Sequence, residues 1–102
     1  MKLLQIDNEP IAYAYQATQS LPAVGIRASD WVVYRPTSNA APGDLVFGKY
    51  DGTVSVGRLL RNDDGELAFY DGATGEMSSL RQPHELCVFG VVIAVRGEGA
   101  FH

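Results

Sequence analysis

The stretch Asp44-Leu45-Val46-Phe47-Gly48-Lys49-Tyr50-Asp51-Gly52-Thr53-Val54-Ser55-Val56-Gly57-Arg58-Leu59-Leu60-Arg61 reads as two strands and a tight turn. Asp-Gly is a favoured pair for the primed two-residue turn, whose backbone twist matches the twist of the strands it joins. Side chains alternate along a strand. In the return strand Val54, Val56, Arg58 and Leu60 therefore share one face, and Ser55, Gly57, Leu59 and Arg61 share the other.

Working outward, the same kind of pattern continues. Ile11 to Thr18 alternates, with Ile11, Tyr13, Tyr15 and Ala17 on one side, and aromatic residues suit a pleated surface. Pro22 and Gly25 interrupt Ser20 to Ser29, which reads as a turn or irregular loop. Trp31 to Tyr34 is a short strand ended by Arg35-Pro36, and Thr37 to Gly43 is a polar loop. Beyond the hairpin, Asn62-Asp63-Asp64-Gly65 turns into a strand from Glu66 to Tyr70, and Asp71 to Gly75 turns again. Leu86 to Arg96 is the last strand, with Gly90 inside it at a position that suggests a bulge or close backbone approach. No stretch holds a helical period. The fold class is mostly β, with six or seven short strands in a small coiled sheet, barrel or sandwich. Residues 1–10 read as an N-terminal arm and 97–102 as a fraying tail.

Length and charge bound the rest. The 102 residues suit one domain, 1–102. A hydrophobic share of 46% and a charged share of 20% are ordinary for a globular protein with its own core. The net charge of −4 argues against direct nucleic-acid binding, which rests on neutralising phosphates, and against a polybasic membrane patch. Val88 to Val95 is the longest apolar run and has strand length, so no membrane span is expected. Cys87 stands alone, which excludes an internal disulfide and fits a cytoplasmic setting. His84 and Cys87 fall short of the three or four ligands of a zinc site, so the expectation is no metal. No phosphate-binding glycine loop precedes a helix, and no cofactor is expected.

Pro42-Gly43-Asp44-Leu45-Val46-Phe47 resembles a strand motif of papain-like cell-wall peptidases. Those enzymes need a nucleophilic Cys before the motif, and here Cys87 follows it. A more extensive resemblance runs through three blocks. Ser20-Leu21-Pro22-Ala23-Val24-Gly25-Ile26, continuing to Asp30-Trp31-Val32-Val33, resembles the nucleophile block of the LexA/UmuD self-cleaving serine–lysine peptidases. Gly43 to Val46 with Asp51 to Leu59 resembles their second block, a hairpin whose return strand ends Val-Lys-Arg-Leu. Val88-Phe89-Gly90-Val91-Val92-Ile93 resembles their closing strand.

The resemblance implies a coiled-sheet domain of the LexA C-terminal type. It places Ser20 at the nucleophile position and Gly57 at the position of the catalytic lysine. In that family a buried, neutral lysine takes the serine proton; desolvation lowers its pKa toward working pH. Gly57 cannot do this. Arg58 faces the other way and its guanidinium does not deprotonate. Lys49 matches a variable position on the preceding strand. Leu21 replaces the family's Met, and Ala28-Ser29 replaces an acidic-Gly pair. Nineteen residues precede Ser20, with no Ala-Gly or Cys-Gly cleavage pair and no room for a helix-turn-helix.

The expectation is a pseudo-peptidase that acts by protein–protein association in a phage, mobile-element or SOS-type setting. The resemblance also implies a homodimer through the C-terminal strand, with Leu86, Val88, Val91, Ile93 and Val95 as interface residues; the same strand also fits the monomer core. Three other readings stand beside it. One is a UmuD-like accessory subunit with a repressor- or polymerase-type partner, another a serine peptidase using Ser20 with an unrecognised base, and the third an unrelated SH3-like binding barrel.

Overall fold

A computed structural model describes residues 2–4, 12–81 and 85–100 of the chain. Among these residues eight strands follow one another: β1 (Lys2–Leu4), β2 (Ala12–Gln16), β3 (Trp31–Pro36), β4 (Leu45–Tyr50), β5 (Thr53–Arg61), β6 (Leu67–Asp71), β7 (Met77–Ser79) and β8 (Leu86–Arg96). A single 3-10 turn, Pro22–Val24, interrupts the β2–β3 connection. Every pairing is antiparallel, and the strand order is β1-β2-β3-β8-β4-β5-β6-β7. The end strands β1 and β7 do not pair, so the sheet does not close into a barrel.

The hairpin forms where the sequence places it, with Tyr50 opposite Thr53 and Leu45 opposite Arg58. Asp51 and Gly52 both take positive φ, 47° and 81°, as a primed turn requires. Other turns close through side chains. Asn62 Oδ1 accepts from the amides of Asp64 and Glu66 at 2.9 and 3.0 Å. Asp71 Oδ1 accepts from the Ala73 amide at 2.8 Å.

The main core lies on one face of the sheet, where Val32, Tyr34, Phe47 and Val56 pack against Ala17, Leu21 and Ile26. Leu21 and Ile26 fold over the sheet from the β2–β3 loop and cap this face. Aromatic rings meet across the strand between them, joining β2 and β3 to β4 over β8: Tyr34 to Phe47 at 4.6 Å between centroids, and Tyr15 to Phe47 at 4.8 Å. Such pairs add about 0.5–1.5 kcal/mol beyond the area they bury. A smaller cluster on the other face joins Ala12, Ala14 and Val33, with Trp31 and Ala94 against it.

β8 is the fourth strand of eight, bonded to β3 on one side and β4 on the other. Its backbone is used on both edges, so it cannot add a strand from another chain. Of the two readings left open for this strand, its backbone pairing is that of a strand inside the sheet. Two register shifts explain why its apolar sequence does not alternate. Val33 pairs with Ala94 and Tyr34 with Val92, which leaves Ile93 as an extra residue. Phe47 pairs with Gly90 and Gly48 with Val88, which leaves Phe89 as another. Bulged residues bend the strand and re-aim side chains, and these two are its exposed large apolar residues, Ile93 at 49% and Phe89 at 37%.

Two other expectations are refined. The segment after β8 is tied down through residue 100: Trp31 Nε1 donates to the Glu98 carbonyl at 3.3 Å, and the Ala100 amide to that of Gly97 at 3.0 Å. Within the expected N-terminal arm, Lys2–Leu4 forms β1, paired Lys2 to Ala14 and Leu4 to Ala12. Residues 5–11, His84 and His102 lie outside the described residues. Among the described residues no helix is long and apolar enough to cross a membrane.

Candidate functional site

Ser20 sits at the entrance of a loop that the backbone knits closely. The Ala17 amide donates to the Asp30 carbonyl and the Ser29 amide to that of Ala17, both at 2.8 Å. Leu21 and Ile26 exchange reciprocal bonds of 2.8 and 3.1 Å. Pro22 starts the 3-10 turn with a φ that is already fixed, and Gly25 ends it in the left-handed region at φ 73°. Asp30 Oδ2 accepts from the Arg27 amide at 2.9 Å. The turn is also fastened from outside. The Ala23 amide donates to the Gly72 carbonyl at 3.0 Å, and the Gly72 amide donates to the Val56 carbonyl at 2.9 Å. The loop, the β6–β7 turn and β5 are thus one hydrogen-bonded unit.

Within this unit Ser20 is exposed. Its Oγ accepts from the Ala28 amide at 3.4 Å, the long end of a hydrogen bond. A hollow against the same loop, lined by its neighbours Gln19 and Leu21 and not by Ser20 itself, has about 20 Å³ of free space, room for one water. Thr18, Gln19 and Leu21 line it from the loop, with Val54, Ser55 and Val56 from β5. The hairpin therefore reaches the Ser20 loop. No Lys, His, Asp or Glu is among the residues lining the hollow.

Gly57 lies on β5 opposite Val46 and Asp71. It is buried, and there is no room for a side chain. A Cβ there would collide with the Tyr70 carbonyl oxygen and the Phe69 ring. Phe69 itself is 1% exposed and packs against Tyr50 at 4.9 Å between centroids. The space at this position is filled by an aromatic ring from the next strand.

The other cations near the hairpin are placed elsewhere. Arg58 Nη1 donates to the Gly43 carbonyl at 2.7 Å and holds the β3–β4 loop. Lys49 is exposed, directly opposite Cys87 on β8. It lines a separate hollow with Asp51, Gly52, Glu85 and Cys87, which shares no residue with the one beside Ser20. The interface residues expected on β8 are split: Leu86, Val88, Val91 and Val95 are half-buried and Ile93 is exposed.

One polar pair escaped sequence reasoning. Ser55, buried at 9% exposure, donates to Asp71 Oδ1 at 3.2 Å. That carboxylate also holds the Ala73 amide, so the pair pins the β6–β7 turn to β5 beside Gly57. The strand alternation placed Ser55 on the Gly57 face, but its partner depends on the β5–β6 register. Among the described residues no group of three or more His, Cys, Asp or Glu is arranged to hold a metal ion. No protein-family model and no curated protein matches the chain.

Proposed function

We propose that this chain is a non-catalytic β domain of the LexA/UmuD type that works by associating with protein chains in a phage, mobile-element or damage-response setting. One observation carries the non-catalytic part: Phe69 and the Tyr70 carbonyl occupy the side-chain space at Gly57. A serine needs a base within about 2.6–3.2 Å to become a nucleophile. The motif assigns that base to position 57, and Arg58 and Lys49 serve other places. The Ser20 hydroxyl closes a loop by accepting from the Ala28 amide. The three sequence blocks and the reach of the hairpin to the Ser20 loop support the family reading over an SH3-like barrel.

The test is incubation at mildly alkaline pH, followed by intact-mass analysis and exposure to a serine-reactive fluorophosphonate. The expected result is an unchanged 11.0 kDa chain with no Ser20 adduct. Self-cleavage, or labelling that Ser20→Ala abolishes, overturns the proposal.

A further inference from the structure

We propose that the outer edge of β7 pairs antiparallel with the same edge of a second copy of this chain, across a twofold axis at Ser78. This rests on the association reading above and names its surface and partner.

Among the described residues β7 pairs only with β6 and ends the sheet. The ladder shows which of its backbone groups face outward. The Leu80 amide donates to the Leu67 carbonyl and the Asp71 amide to that of Glu76. Hydrogen-bonded pairs alternate along an antiparallel ladder, so Glu76, Ser78 and Leu80 turn their amides and carbonyls toward β6. Met77 and Ser79 turn theirs away. At the neighbouring outward positions the amides are already bonded, Gly75 to the Asp71 carbonyl at 2.8 Å and Arg81 to Glu85 Oε1 at 3.0 Å. Among the described residues the outward amides left over are those of Met77 and Ser79, one residue either side of Ser78.

That arrangement is complementary to itself. With Ser78 opposite Ser78 of a second copy, Met77 faces Ser79 and Ser79 faces Met77. Each of these is a pair that exchanges both bonds, so all the free amides find carbonyls. Shortness is the one guard this open edge carries: Met77-Ser78-Ser79 is three residues long and contains no charge, proline or bulge. Met77 is 54% exposed and Leu67, on the next strand, 37%. A twofold pairing of like edges closes as a dimer, whereas β1 joined to β7 would grow without limit.

The experiment combines sedimentation velocity over a concentration series with cross-linking in the full chain. Met77→Pro removes one outward amide and leaves the β6 ladder intact, so the edge tolerates it. Ser78→Cys, in a Cys87→Ser background, places two thiols directly across the axis, within disulfide reach. Glu76→Cys in the same background is the control, since its thiols would sit about 13 Å apart along the strands. The expected results are a mass rising from 11.0 kDa toward twice that value with concentration and loss of the rise in Met77→Pro with unfolding temperature kept. Ser78→Cys should cross-link about tenfold faster than Glu76→Cys. A mass fixed at 11.0 kDa without preferential Ser78→Cys cross-linking overturns the inference, as do assemblies growing beyond the dimer. A dimer indifferent to Met77→Pro and to the Ser78→Cys position also overturns it, but leaves the association reading standing with a different surface. The non-catalytic part of that reading fails separately, through Ser20 labelling.

Discussion

The surroundings of Ser20 and of Gly57, taken separately, use their polar groups in the opposite way to the β7 margin. Around Ser20 the loop amides, the Ser55 hydroxyl and the Asp71 carboxylate are bonded within the chain, and the space at Gly57 is filled by a ring. At β7 the amides of Met77 and Ser79 point outward. Catalysis needs a free nucleophile and a free base in one place; association by strand pairing needs free backbone on an edge. The groups around Ser20 and Gly57 are bonded within the chain, and the Met77 and Ser79 amides of β7 face outward.

The sharpest way to break this contrast is to change the surroundings of Gly57. Phe69→Ala empties the space beside Gly57 and should cost about 3–5 kcal/mol in urea unfolding, as large aromatic truncations in cores do. Gly57→Lys forces a side chain against Phe69 and the Tyr70 carbonyl and should cost about 3 kcal/mol. Combining Phe69→Ala with Gly57→Lys should cost less than the sum, because the ring obstructs the new side chain. Additivity within about 0.5 kcal/mol would show that the ring does not occupy that space.

Smaller effects sharpen the contrast. Burial, and then the neighbouring Tyr13, raise the Tyr34 hydroxyl above the ordinary tyrosine value. The folded chain therefore holds this proton more tightly than the unfolded one. Stability from this source is fully present below about pH 10 and declines as pH rises from there through the raised folded value. Urea unfolding between pH 8 and about pH 11 should show the decline, and Tyr34→Phe should remove that part of it. Met77→Pro should move monomer stability by less than about 0.5 kcal/mol, because it touches only outward groups. Ser20→Ala gives up one long hydrogen bond at an exposed position and should cost under about 0.5 kcal/mol. A cost above about 2 kcal/mol would assign Ser20 a larger structural part.

The fold was legible where local chemistry decides it. Asp51-Gly52 announced the primed turn, and the alternation of Val54 to Arg61 set which residues share a face. β7 was not legible, because Met77-Ser78-Ser79 is too short to alternate and is held by its pairing with β6. The central place of β8 stayed one of two open readings, because its two bulges make both faces read as apolar. At the candidate site, the loop carrying Ser20 could be read from Pro22 and Gly25, while Gly57 at the position of a lysine is what the resemblance implies. That Phe69 fills position 57 could not, since it follows from the register of β5 on β6, twelve residues away in the chain.

The central claim is that Ser20 has no base. It is tested most directly by the rate of fluorophosphonate labelling at Ser20, followed by peptide mass from pH 7 to about pH 10. The account predicts a rate at the level of other exposed serines, with no step across the range in which a buried lysine would lose its proton. A stepwise rise in labelling that Ser20→Ala eliminates would contradict it.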